Sequence, residues 1–189
     1  FYFTPFSFSQ TPKGDRVLAW SVGSSESGDF DEAFGYAKAA CMESIHLSLT
    51  WSSLEPTSGE FDPAVIAGIL DVANIYFPLN DVELELQVSV TNTTAKETPE
   101  DLMGVDFDDP VMISRFKTAL DTIFAHIPDV TMSVLNIGNE SDILFGVDSE
   151  QYAAFGTFLE EVSTYARTAD DESYDSDIKI GTTLTLTGL

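Results

Sequence analysis

The four residues Ile137-Gly138-Asn139-Glu140 close an apolar run, Met132-Ser133-Val134-Leu135-Asn136, and place an amide and a carboxylate where a buried strand should emerge into solvent. A carboxyl group at such an exit can give a proton to a leaving group and later take one from water. Other residues able to do chemistry are few. The two histidines, His46 and His126, have no metal-ligand spacing, so no metal site is expected. No Gly-x-Ser-x-Gly elbow and no phosphate-cradling Gly-rich loop occurs, so no cofactor is expected either. Glu55-Pro56 reads as a turn opening the loop toward Gly59 rather than as a second catalytic carboxylate. Asn92 lies just past another strand, within the polar loop Thr91-Asn92-Thr93-Thr94.

These candidates need elements to position them, and the hydrophobic periodicity supplies an order. Val17 to Val22 reads as a first strand, closed by Gly23 and a Ser-Gly-rich turn. Phe30, Ala33, Phe34, Ala37, Ala40 and Cys41 then repeat at helical spacing, with Asp29, Asp31 and Glu32 at the end where the helix dipole favours negative charge. Ile45 to Trp51 is a second strand. Asp62-Pro63 is a cap and first-turn proline for a helix running to about Tyr76, and Asp109-Pro110 repeats the device for a helix stopping near Pro128. Between them Val82 to Val90 is a third strand, and Met132 to Asn139 a fourth. Asp148 with Gln151 forms a capping box for a helix carrying Tyr152, Phe155, Leu159, Val162 and Ala166. An acidic turn from Asp170 to Asp177 leads to a fifth strand, Ile178 to Leu184. Strand and helix alternate four times before that fifth strand, which is an α/β pattern of parallel strands joined by helical crossovers in one domain, residues 1–189.

The strand faces discriminate between a doubly wound sheet and a barrel. Val82, Leu84, Leu86, Val88 and Val90 share one face of the third strand, leaving Glu83, Glu85, Gln87 and Ser89 on the other. Such a polar face is hard to bury under a helix but can line a barrel interior, where opposing polar groups satisfy it. His46, Ser48 and Thr50 alternate likewise on the second strand. The expectation is an interior polar network drawn from His46, Gln87, Asn136, Glu85 and Lys179.

Composition narrows the partners. Thirty-two acidic residues against eight Lys and Arg give a formal charge of −24, which repels a phosphate backbone, so nucleic acid is not an expected partner. No apolar stretch approaches the roughly 18 residues of a spanning helix. Phe1 to Gln10 lacks the charged start and continuous apolar centre of a signal peptide. Cys41 is the single cysteine, so it makes no intrachain disulfide; Ala39, Ala40 and Met42 around it predict a small buried hydrophobe on a helix. A soluble protein of a secreted or periplasmic setting is expected, in an oligomeric state the sequence leaves open.

Two segments resemble a known group. Trp51-Ser52-Ser53-Leu54-Glu55-Pro56-Thr57-Ser58-Gly59-Glu60-Phe61-Asp62 resembles the Trp-x-x-Leu-Glu-Pro-x-x-Gly-x-Phe-Asp segment after strand two of many clan A glycoside hydrolases. Ile137-Gly138-Asn139-Glu140 resembles their strand-four motif, and both segments fall on the strands that the family requires. The resemblance implies an incomplete (β/α)8 TIM barrel of about four βα units and a fifth strand. It implies a retaining O-glycosidase acting on a β-linked oligo- or polysaccharide, with Glu140 as general acid and then base, and Asn139 hydrogen-bonding the sugar 2-hydroxyl. Trp51 and Asn92 are further candidate sugar contacts. Trp51 offers a ring face to a pyranose, although its alternation with Ile45, Leu47 and Leu49 groups it under the helices. Asn139 and Glu140, being adjacent, can share a cleft only if the strand ends or bulges there.

Retaining glycosidases need two carboxylates about 5–5.5 Å apart, and in this clan the nucleophile ends strand seven. Five strands do not reach it, and such barrels run to about 250 residues. The expectation is therefore a fragment of a longer enzyme, inactive alone, with exposed apolar edges at its first and fifth strands. The alternative is a noncatalytic carbohydrate-binding, barrel-like protein. It would need several aromatic platforms, for which only Trp51, Trp20 and Phe145 are available.

Overall fold

The structure is a computed structural model that describes residues 16–173 and 178–185. Its strands are β1 (Ala19–Trp20), β2 (Ser44–Thr50), β3 (Glu83–Asn92), β4 (Ala95–Lys96), β5 (Met132–Asn139) and β6 (Lys179–Gly181). The helices are α1 (Phe30–Ala39), α2 (Trp51–Leu54), α3 (Pro63–Val65), α4 (Asp71–Leu79), α5 (Pro110–His126), α6 (Ser141–Phe145) and α7 (Ser149–Ser173). A π-helical turn over Ile66–Leu70 joins α3 to α4. The parallel strands lie in the order β1-β2-β3-β5-β6, and β4 folds back antiparallel on β3. Neighbours that follow chain order without reversal wind in one direction, as a barrel does, whereas a doubly wound sheet reverses at a switch point. The chain thus forms part of a (β/α) barrel.

Capping chemistry sets where the helices begin. Asp29, Asp62 and Asp109 each accept backbone N–H bonds at the start of their helices, and Pro63 and Pro110 occupy first-turn positions. The apolar face of β3 is sealed: Leu84, Leu86, Val88 and Val90 have no exposed surface, and they join Phe116, Leu120 and Ile123 of α5 and Phe158 and Val162 of α7 in one buried cluster. Each such side chain contributes about 1.5–3 kcal/mol when removed from water. On the other face Gln87 donates to Ser48 Oγ at 2.9 Å and Ser89 Oγ at 3.2 Å.

The structure departs from expectation at several points. The interior network is smaller than predicted: His46, Glu85 and Asn136 are half-buried and Lys179 is exposed, because among the described residues the inner face opens to water rather than to further strands. β1 is only two residues long, as an edge strand paired on one side is. Strand two ends at Thr50, whose hydroxyl accepts from Ser53 N and starts α2, so Trp51 is the first residue of a helix and not the last of a strand. Cys41 is exposed rather than buried: it lies past the end of α1 with φ 65°, in the left-handed region where the chain turns away. The last helix runs on to Ser173 through half of the predicted acidic turn, and residues 174–177 lie outside the described residues, as does the segment Phe1 to Gln10. Edge exposure is as expected, with Trp20 in β1, Val17 and Leu18 before it and Leu184 beyond β6 all exposed. No helix of the described residues is long and apolar enough to cross a membrane.

Candidate active site

At the carboxyl end of β5 the chain leaves strand geometry abruptly. Gly138 has φ +90° and Glu140 has φ 49° and ψ 44°, left-handed, after which α6 begins. A side chain at 138 is excluded twice, by this φ and by neighbours: a Cβ there would meet Thr91 Oγ1 at 2.7 Å and Ser141 Oγ at 2.9 Å. Those two hydroxyls are themselves hydrogen-bonded at 2.7 Å and buried, tying the end of β3 to the start of α6. Phe145 anchors the other end of α6 in a ring cluster with Phe107 and Phe155, at centroid separations of 6.0 and 5.2 Å.

The ladder is irregular at the same level. Val88 pairs with Ile137, yet the next pair is Asn92 with Asn139, so β3 takes four steps while β5 takes two. The extra residues form a bulge that re-aims side chains at the strand exit. Asn92 is thereby set beside Asn139, whose Nδ2 donates to Asn92 Oδ1 at 3.1 Å. The left-handed turn also removes the strand alternation that would send Asn139 and Glu140 to opposite faces. Both are half-buried and both touch the same two threonines. Thr93 donates its backbone N–H to Asn139 O at 3.1 Å and its hydroxyl to Glu140 Oε2 at 2.6 Å. Thr183 donates its hydroxyl to Asn139 Oδ1 at 2.8 Å and accepts from Glu140 N at 3.1 Å.

The structure therefore gathers three of the sequence candidates, Asn92, Asn139 and Glu140, on one rim, and does not bring the fourth. Trp51 has no exposed surface; its Nε1 donates to Glu55 Oε2 at 2.9 Å and its ring meets Phe116 edge-on at 5.0 Å. It cannot serve as a sugar-stacking platform, because the helical start at Thr50 turns its ring into the core. Phe145 is likewise buried. Glu55 is buried and fully engaged, accepting from Trp51, from Gly59 N at 2.7 Å and from Arg115 at 2.7 and 3.0 Å. Arg115 reaches on to Asp101 and Ser58, so Glu55 staples the loop after β2 to α5, as a structural turn would require.

Thr93 and Thr183 are the site residues that sequence reasoning missed. In the sequence Thr93 reads only as part of a polar loop, and Thr183 falls inside the predicted fifth strand, Ile178 to Leu184, which in the structure ends at Gly181 and so leaves Thr183 at a strand exit. Just past Glu140, Asp142 accepts from Thr185 N at 3.0 Å and from the Thr185 hydroxyl, and these bonds hold its carboxyl below the usual aspartate range. A cavity of about 610 Å³, lined by none of Asn92, Asn139 and Glu140, opens between residues 103–108 and helices α6 and α7. Lys96 in its wall lies 4.8 Å from the Phe107 ring centroid, and burial pushes its amine down while Asp106 opposes the shift. Among the described residues no group of three or more His, Cys, Asp or Glu is placed to hold a metal ion.

No family model and no curated protein matches this sequence. Solved structures do resemble it. A GH5_18 from Bifidobacterium longum subsp. infantis aligns over 89% of this chain and 44% of its own, at 12% identity and a TM-score of 0.63. The exo-beta-1,4-mannosidase Op5Man5 from Opitutaceae bacterium strain TAV5 aligns over 89% of this chain and 32% of its own, at 18% identity and a TM-score of 0.65. A beta-glucosidase from Exiguobacterium marinum aligns over 83% and 37%, at 16% identity and a TM-score of 0.61. At such identities the likeness is one of fold, and the chain spans less than half the length of each of these structures.

Proposed function

We propose that the chain is part of a retaining glycoside hydrolase acting on a β-linked oligo- or polysaccharide, with Glu140 as its acid/base. The observation that supports this reading most is the left-handed exit of β5, which turns Glu140 onto the rim already occupied by Asn139 and Asn92. The fold likeness to β-mannosidase and β-glucosidase structures agrees with it. A glycosidic oxygen is a poor leaving group until protonated. In the proposed reaction the Glu140 carboxyl gives its proton to that oxygen as the C1–O bond breaks and a second carboxylate attacks C1. The Glu140 carboxylate then takes a proton from water, whose oxygen attacks C1 and releases the nucleophile. Asn139 Nδ2 carries a second N–H beyond the one given to Asn92, and that N–H is assigned to the sugar hydroxyl next to C1.

The second carboxylate is assigned to residues beyond this sequence. By this reading residues 1–189 alone do not turn over substrate, and a longer product of the same reading frame does. Aryl β-mannoside and β-glucoside hydrolysis by the two proteins tests the proposal. Activity only in the longer protein is expected. Turnover by residues 1–189 alone overturns the assignment of the nucleophile, and an inert longer protein overturns the enzymatic reading.

A further inference from the structure

Two threonines at the rim do more than fill space. Thr183 uses its hydroxyl in both senses: the Glu140 backbone N–H occupies one lone pair, and the hydroxyl proton goes to Asn139 Oδ1. The Glu140 N–H fills one of the two lone pairs of that hydroxyl, and the contact to Asn139 Oδ1 at 2.8 Å is far shorter than the alternative to Gly138 O at 3.5 Å, which gives the chain of hydrogen bonds its direction. With Oδ1 held by Thr183, Asn139 must turn Nδ2 toward Asn92, which is the orientation observed. Thr93 acts on the neighbouring side chain, its hydroxyl donating to Glu140 Oε2 at 2.6 Å. Threonine stands at 93 against local preference, since its φ of 54° lies in the left-handed region that a β-branched residue disfavours. β4, pairing Ala95 with Asn92 and Lys96 with Thr91, holds the turn that imposes this conformation. Ser52 binds the following residue, Glu97, through both N–H and hydroxyl.

We propose that Thr93 and Thr183 are positioning residues that fix, from the two strands flanking β5, which atoms Glu140 and Asn139 present to a sugar. Because Thr93 donates to Oε2, the transferable proton of Glu140 resides on Oε1. Because Thr183 donates to Asn139 Oδ1, Asn139 presents N–H and not carbonyl, so the ligand group it meets is an acceptor. The assignment of roles rests on the glycosidase reading; the clamp itself does not.

The clamp is tested in the 189-residue chain by NMR, without turnover. In the wild-type chain the Glu140 backbone amide is expected to exchange at least tenfold more slowly than its unstructured rate, and the two Asn139 side-chain amide protons, inequivalent in any primary amide, to be displaced from their free-asparagine shifts. Thr183→Val is expected to abolish both signatures and Thr183→Ser to restore them, with amides of β3 unchanged throughout. An unprotected Glu140 amide together with Asn139 side-chain amide protons at their free-asparagine shifts in the wild-type chain overturns the clamp, whether or not any variant folds. In the longer protein Thr93→Val is expected to lower kcat at least tenfold with KM unchanged, and Thr93→Ser to recover it; a change confined to KM overturns the role given to Thr93. An intact clamp in a longer protein that lacks activity would refute the glycosidase reading alone.

Discussion

Replacing Gly138 by alanine tests whether the site is built on a close backbone approach. Two penalties add at this position. A Cβ on a left-handed residue costs about 1–2 kcal/mol. The same Cβ would meet Thr91 Oγ1 at 2.7 Å and Ser141 Oγ at 2.9 Å, so the buried hydroxyl pair must part, and leaving a buried polar group unsatisfied costs about 1–3 kcal/mol more. The expected loss is therefore about 2–5 kcal/mol, or roughly 4–20 °C in Tm for a chain of this size. Gly28 provides the control, since its φ of +82° is close to that of Gly138 but a Cβ there meets nothing within 4 Å. Gly28→Ala should lose only the conformational part, about 1–2 kcal/mol. Urea unfolding followed by circular dichroism, with midpoint and slope compared for both variants, measures the difference. Equal losses in the two variants would refute the close packing of Thr91 and Ser141 around Gly138.

Other perturbations follow from the same geometry. Arg115→Met leaves the buried Glu55 carboxylate without its cation, and a loss of about 3–5 kcal/mol is expected by urea unfolding, part of it recovered by adding Glu55→Gln. Asp142 titrates below the usual aspartate range because Thr185 bonds it, so its folded value lies under its unfolded one. Its contribution to stability is then present above about pH 4 and lost as pH falls through the folded value. The gap in urea midpoint between wild type and Asp142→Asn should accordingly shrink below that pH. Burial and a bond to Asp31 push Tyr76 up to about 12, and a bond to Asp121 with burial does the same for Tyr165. Absorbance titration should show these two tyrosines ionising last, and Asp31→Asn should bring Tyr76 forward.

The pattern of elements was legible because each rests on a local signal. Asp-Pro pairs marked two helix starts, strict alternation marked β3, and the bounds of β5 agree with those read from Met132 to Asn139. Asn139 and Glu140 were visible as a polar pair after an apolar run. Their placement on one rim was not, because it depends on a bulge in β3 and on a left-handed residue that no side-chain period records. Trp51 shows the opposite failure. Alternation was extended one residue too far, and Thr50 capping a helix overrode it. Thr183 lies 43 residues from Glu140 in sequence and meets it only through the order of the sheet.

The role of Glu140 is tested most directly by azide rescue in the longer protein. Glu140→Ala is expected to lower hydrolysis of glycosides with poor leaving groups by about 10²–10⁴-fold. Dinitrophenyl glycosides, which need no proton, should still form the glycosyl-enzyme. Azide should then accelerate turnover and yield a glycosyl azide of retained β configuration. A Glu140→Ala protein that handles both substrate types as the wild type does, or that ignores azide, would contradict the assignment.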